Sequence, residues 1–205
     1  DLQCTNTLSE NEIINGLIEA IKIFLTHSLP CLEYVASHLN KAIKGDIESL
    51  EFIVTKAIQL KMEVVQQDLE DKNLRQVLNF GHTIGHALEA LTDYQISHGT
   101  AVALGILVEA KISQLQGLLT HEEYQKIVHL FSQLGLTQKM LFDFDPVMII
   151  EKTHLDKKNF HQEVKYILLE KLGKFHVSKN QVAHTISDEQ VLEAFNILQE
   201  TNRAR

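Results

Sequence analysis

The stretch Arg75 to Glu89, RQVLNFGHTIGHALE, gathers most of the groups in this chain that can do chemistry: Arg75, Asn79, His82 and His86. On a helix His82 and His86 lie four apart on one face, and an H-x-x-x-H pair of this kind can clip one metal ion. An imidazole also gives and takes protons near neutrality. Gly81 and Gly85 are interleaved with them. Gly costs a helix about 1 kcal/mol relative to Ala, so two in one turn imply that another backbone, a metal or a substrate comes close. Arg suits two-point recognition of a carboxylate, and Lys suits a phosphate as a point charge. Other reactive groups are scattered. Glu19 and Lys22, three apart, read by themselves as a solvated ion pair. Lys61 reads as a cation complementing a helix end, and Lys157-Lys158 as a solvated pair. Each of the eleven histidines, taken alone, reads as an ordinary surface or core residue.

The elements that position these groups are mainly helical. Ser9 is a candidate N-cap for a helix running to His27, with Glu10 and Glu12 in its first turn. Ile13, Ile14, Leu17, Ile18, Ile21 and Phe24 give it an apolar stripe. Pro30 breaks the chain, and Leu32 to Ala42 forms a second helix ending near Gly45. Ile47 to Val65 is a long amphipathic helix. A loop from Tyr94 leads into a helix reaching Ala110, followed by amphipathic helices over Val108 to Leu118 and His121 to Leu134. Pro146 opens another helical run. Val164 to Leu169 and Lys174 to Val177 flank Lys171-Leu172-Gly173 as a small hairpin, the strongest strand signal in the chain. Ser187-Asp188 caps a last helix through Leu198.

Hydrophobic residues make up 44% of the 205 and charged residues 22%, ordinary values for a soluble globular protein. Cys4 and Cys31 form no framework and read as reduced thiols of a cytoplasmic protein. No segment has the run of about 18 apolar residues that a membrane span needs. The formal net charge of −8 argues against nucleic acid as a partner. An anionic substrate would need a local basic cluster set against that field. No G-x-G-x-x-G or Walker loop is present for a nucleotide.

LNFGHTIGHALEA resembles the signature of the 3-dehydroquinate synthases and, more broadly, of the sugar-phosphate cyclases. Several other stretches fit the same family. GLIEAIK resembles its GLAEVIK, and Ser97 to Gly105 resembles its HGEAVAIGM. Lys61 to Val65 fits K-x-x-V-V, and Asp156-Lys157-Lys158-Asn159 resembles its DKK motif. The resemblance implies a metal held by Glu19, His82 and His98, with His86 left for proton transfer. It implies substrate contacts from Lys22, Lys61, Arg75, Asn79 and one of Lys157 and Lys158. Asp71 stands where the family has an acid/base Glu, and Asn73 where it has Gly. Asn tolerates a left-handed backbone, so the turn can persist. Thr100 replaces a Glu outside the ligand positions.

The fold this implies is the multi-helical C-terminal domain of that family, with one small β-hairpin. Residues 1–205 would form a single metal- and substrate-binding domain, and the N-terminal nicotinamide-binding lobe is absent from this chain. The implied activity is 3-dehydroquinate synthase of the shikimate pathway, in which NAD transiently oxidises a heptulosonate phosphate before phosphate elimination, reduction and aldol closure. Implied cofactors are NAD, held mainly by the other lobe, and zinc or cobalt. The implied assembly is a cytoplasmic homodimer, and the isolated chain would bind metal weakly and turn over nothing. Two rival readings are another cyclase acting on a different heptulose or hexose phosphate, and a helical domain that keeps only a relic of the site. A metal-dependent polyol dehydrogenase would not need Arg75, Lys61 and the DKK lysines.

Overall fold

The computed structural model describes residues 2–159 and 163–203, with side chains over 2–155 and 163–200. A 3-10 turn, Leu2–Thr7, leads into α1 (Glu10–His27), α2 (Leu29–Ile43) and α3 (Ile47–Gln67). A second 3-10 turn, Leu74–Asn79, precedes α4 (His82–Leu91) and α5 (His98–Leu115). Then come α6 (His121–Gln133), a 3-10 turn at Gln138–Asp143 and α7 (Pro146–Asn159). Four short strands follow, β1 (Tyr166–Ile167), β2 (Leu169–Lys171), β3 (Lys174–Phe175) and β4 (Ala183–His184), and α8 (Asp188–Arg203) ends the described chain.

The centre of the fold is α5. It has no polar face, and apart from Thr100 every residue from Gly99 to Ser113 is buried. A helix that is apolar all round must be covered on all sides, and α1, α4, α6 and α8 cover this one. The sequence reading ended one helix at Ala110 and began another at Val108. The structure runs straight through, because Val108 to Ser113 continue the buried core rather than opening an amphipathic surface helix.

The two glycines of the central stretch make room for α5. Gly81, at φ +78, is the N-cap of α4, and a Cβ there would meet Ile106 Cγ1 at 2.5 Å and Val102 O at 2.7 Å. A Cβ on Gly85 would meet the Ala101 carbonyl at 3.2 Å. Of the three approaches that the glycines allow, the structure shows backbone against backbone. This contact brings the first turn of α4 up against the N-terminal half of α5.

Ser9 caps α1 as expected, within a full capping box: its Oγ accepts from the Glu12 N–H, and Glu12 Oε2 accepts from the Ser9 N–H. Ser28 separates α1 from α2 and caps the second. α2 starts at Leu29 rather than Leu32, because Pro30 sits in its first turn, where a missing N–H costs nothing.

Two local expectations need correction. Asn73 has φ −155, so it is not left-handed; Asp71 is, at φ 56. Asn73 instead uses both ends of its amide, donating to Asn180 O at 2.8 Å and accepting from the Val182 N–H at 3.3 Å. A Gly could not make that stitch. The hairpin is also shorter than read. β2 pairs with β3, whereas β1 pairs antiparallel with β4, in register Tyr166 with His184. β4 has only two residues, too few to show a period-2 pattern. No described helix is long and apolar enough to cross a membrane. Cys4 is exposed, Cys31 is buried, and both are free thiols.

Candidate active site

A cleft of about 530 Å³ opens along the first turn of α4. Its walls carry Gln76 and Asn79 from the preceding 3-10 turn, His82, Thr83 and His86 from α4, and Lys165 from the segment leading into β1. Beside it, at His82, three ligating atoms converge. Glu19 Oε1 lies 3.9 Å from His82 Nε2 and 3.6 Å from His98 Nε2. All three are within 4.8 Å of one another. Neither contact is short enough to be a hydrogen bond, and Glu19 Oε1 is buried with no hydrogen-bond partner. A buried carboxylate oxygen without a donor costs free energy. A cation between the three atoms would supply what Glu19 lacks.

The two imidazoles are set for that role by their other nitrogens. His82 Nδ1 lies 3.2 Å from the Phe80 carbonyl, which can only accept, so Nδ1 carries the proton and Nε2 offers its lone pair. His98 Nδ1 lies 3.1 Å from Glu89 Oε1, which fixes the same tautomer there. Burial, and next the Lys22 ammonium, lower the pKa of His82 to about 4, so it is neutral at pH 7. Burial works against the charged form of Glu19, but Lys22, His82 and His98 outweigh it and hold the carboxyl below its usual range. Lys22 itself is buried, with Nζ 2.8 Å from Glu19 Oε2 and 3.5 Å from His82 Nε2. Burial lowers its pKa, against the pull of Glu19. The pair that composition reads as solvated is therefore a part-buried contact facing the ligand cluster, with Lys22 its buried member. One carboxylate and two imidazoles are a donor set for zinc or a similar divalent ion, with coordination positions left over.

The remaining site residues of the sequence reading fall at different distances from this centre. His86 is exposed on the cleft wall, its ring centroid 5.3 Å from that of His82 and 6.2 Å from that of His98. It also belongs to a second possible ligand group with Glu89 and His98, but there His98 Nδ1 and Glu89 are already within hydrogen-bond distance. Asn79 and Asp71 line the cleft. Lys61 is exposed on α3 and borders, with Glu19, the neighbouring groove between α1 and α3. Its charge is felt at Lys22. Arg75 is half-buried and donates through Nη1 to Leu69 O at 3.3 Å. Its backbone N–H and those of Lys72 and Asn73 all donate to the Asp68 carboxylate, which ties the loop together. Lys157 and Lys158 lie in the last turn of α7, which packs against α4. Their side chains and that of Asp156 are outside the described ones.

Sequence reasoning missed Glu89, Thr83, Lys165 and Glu109. Glu89 was findable: it is three residues after His86 and seven after His82, hence on the same helical face. Thr83 Oγ1 donates to Lys165 O at 2.7 Å, a link across 82 residues that no local pattern reveals. Glu109, in the middle of α5, is fully buried, and its Oε2 accepts from the Ile167 N–H at 3.1 Å.

Comparison with known proteins identifies the family and the fold. Residues 16–159 match the family described as 3-dehydroquinate synthase C-terminal. The chain is 34% identical over 179 residues to the 3-dehydroquinate synthase of Thermodesulfovibrio yellowstonii, covering 87% of this chain and 50% of that protein. It is 34% identical over 193 residues to that of Thermoanaerobacter pseudethanolicus, covering 94% and 52%. The chain thus spans about half the length of the curated relatives it matches. Among solved structures, 2-epi-5-epi-valiolone synthase from Streptomyces hygroscopicus, with NAD+ and Zn2+ bound, shares the fold at a TM-score of 0.84 and 19% identity, over 98% of this chain and 55% of that one. A 2-deoxy-scyllo-inosose synthase complexed with carbaglucose-6-phosphate, NAD+ and Co2+ superposes at 0.82 with 25% identity, over 95% and 54%. The chain belongs to the 3-dehydroquinate synthase C-terminal domain family, within the sugar-phosphate cyclases.

Proposed function

We propose that this chain is the metal- and substrate-binding part of a cytoplasmic 3-dehydroquinate synthase, completed by a nucleotide-binding lobe and working as a homodimer. The observation that carries the reading is the buried, unpartnered Glu19 Oε1 facing the Nε2 atoms of His82 and His98 beside the cleft. In this reading Glu19, His82 and His98 hold zinc or cobalt. The bound ion supplies Lewis-acid polarisation of a substrate hydroxyl or ketone. The sequence offers no dinucleotide loop, so residues of the other lobe would hold NAD, which supplies the hydride acceptor.

The chain's own residues do the rest. Lys22 keeps Glu19 ionised and lends positive charge to oxygens bound beside it. His86, exposed on the cleft wall, takes and returns protons as the substrate is oxidised and phosphate leaves. Asp71, at the cleft edge, is the acid/base carboxylate in place of the longer Glu of relatives, and reaches its proton through one water. Asn79 orients substrate hydroxyls. Arg75 and Lys61 bind the substrate carboxylate, and Lys157 or Lys158 the phosphate. The 34% identity to 3-dehydroquinate synthases supports this substrate. The likeness to cyclases of other phosphosugars keeps a second substrate in view.

The test is phosphate release from 3-deoxy-D-arabino-heptulosonate 7-phosphate, with NAD and zinc, by this chain rejoined to its nucleotide lobe. We expect turnover that disappears in His82→Ala and is absent from the chain alone. Release from sedoheptulose 7-phosphate or glucose 6-phosphate instead would replace the substrate assignment. Release by the chain alone at the rate of the rejoined enzyme would refute the two-lobe reading.

A further inference from the structure

Lys165 is a cation in the cleft that neither the ligand cluster nor the motif residues account for. Three bonds fix the backbone that carries it. Thr83 Oγ1 donates to Lys165 O at 2.7 Å, the Ile167 N–H donates to Glu109 Oε2 at 3.1 Å, and the Leu169 N–H donates to Ser113 Oγ at 3.0 Å. Alternate residues of one extended segment are therefore tied to α4 and α5, the helices that bear His82, His86 and His98. Thr83 directly follows His82. The backbone at Lys165 is thus anchored to the two helices that carry the ligand cluster, as a pre-organised contact requires.

Past Lys165 and Gln76 the cleft continues into a recess of about 300 Å³. Lys72, Lys165 and Lys179 line it together with side-chain amides and, among the described residues, no carboxylate does, whereas Asp71 and Glu163 line the cleft itself. Lys72 is exposed and paired with Glu70, which leaves Lys165 and Lys179 as the cations that define the recess. Lys179 sits at φ 50 in a tight turn that Ser178 and Gln181 close with reciprocal backbone bonds. In a chain of net charge −8, a concave patch lined by cations and amides concentrates anions locally.

We propose that Lys165 is an anion-binding residue of this cleft, contacting a phosphoryl or carboxylate group where the cleft runs into the recess. That the anion belongs to the reacting substrate rests on the function proposed above; the anion chemistry itself does not.

The experiment is a titration of the metal-free chain with inorganic phosphate, followed by the backbone amide NMR signals of residues 83 and 163–167. Lys165→Gln, Lys165→Arg and the distant exposed Lys171→Gln are compared. We expect saturable shifts in the unaltered chain and about tenfold weaker binding in Lys165→Gln, as for loss of one charge-assisted contact. Lys165→Arg should restore binding, and Lys171→Gln should leave it unchanged. A phosphate-free hydroxycarboxylate is then added. If it displaces phosphate the site takes carboxylates as well, and if it does not the site is phosphoryl-selective; both results support Lys165 as the contact. Equal losses in Lys165→Gln and Lys171→Gln, or no saturable binding at all, would overturn the proposal. A separate zinc titration keeps the two readings apart. Zinc binding without Lys165-dependent phosphate binding defeats this inference alone, and the reverse defeats the proposed metal site alone.

Discussion

Glu19 and Glu109 are glutamates on adjacent helices, the first half-buried and the second fully buried, and each has one buried oxygen with no hydrogen-bond partner. They end in opposite states. Around Glu19 stand Lys22, His82 and His98, and the carboxyl is held below its usual range in spite of burial. Around Glu109 burial dominates, and the backbone N–H groups of Gly81 and Ile167 only temper it, so its pKa is pushed up to about 8. The same side chain is a ligand-ready anion at one end of α5's neighbourhood and a neutral acid in the middle of α5. The depth of burial and the charges and donors within a few ångströms together decide ionisation. A protonated Glu109 brings no charge into the core, and its Oε2 still accepts from the Ile167 N–H, a polar link between α5 and β1. Ionised Glu19 has no such remedy, and its lone oxygen calls for a cation.

The largest expected effect breaks the comparison at Glu19. Glu19→Gln keeps the shape but removes the anion, and zinc affinity should fall on the order of 100-fold or more, as for loss of a ligand that brings charge. Competition with a chromophoric chelator measures it. An affinity within threefold of the unaltered chain would place the metal elsewhere.

The second breaks it at Glu109. The unfolded carboxyl ionises near 4.5, whereas the folded one stays protonated up to about 8. Between those values the folded state binds the extra proton, so stability should fall as pH rises through that window and level off above it. Each pH unit removes up to about 1.4 kcal/mol. Glu109→Gln keeps an acceptor for the Ile167 N–H and cannot ionise. Its stability relative to the unaltered chain should therefore climb between pH 5 and pH 8, as read from urea midpoints. A pH-independent difference would mean that Glu109 is ionised throughout.

The smallest sharpens the Glu19 side. Glu89→Gln leaves a weaker acceptor for His98 Nδ1, and zinc affinity should drop about tenfold, the usual effect of removing a carboxylate that orients a ligand histidine. No change would show that His98 does not need this bond to face Glu19.

Much of this was legible in the sequence, and for physical reasons. The grouping of Glu19, His82 and His98 comes from the family resemblance, since the residues alone pair His82 with His86; the two glycines do signal the close approach of α4 to α5. The capping signal at Ser9 and the apolar stripe of α1 likewise follow from local rules. What stayed hidden depends on contacts between distant segments. Lys22 looks like the solvated half of an i, i+3 pair until α4 and α5 cover it. Glu109 looks like a surface charge until α5 proves buried on every side. Asn73 looked like a stand-in for a left-handed Gly, but its amide is spent on the turn at Asn180, and the left-handed role passes to Asp71. β4 was invisible because two residues carry no periodicity.

The most direct test of the metal site is anomalous scattering at the zinc edge from crystals of this chain grown with zinc. The expected result is one peak within about 2.0–2.2 Å of Glu19 Oε1, His82 Nε2 and His98 Nε2. A peak bound instead by His82 and His86, or by His86 and Glu89, or no ordered peak at all, would contradict the account.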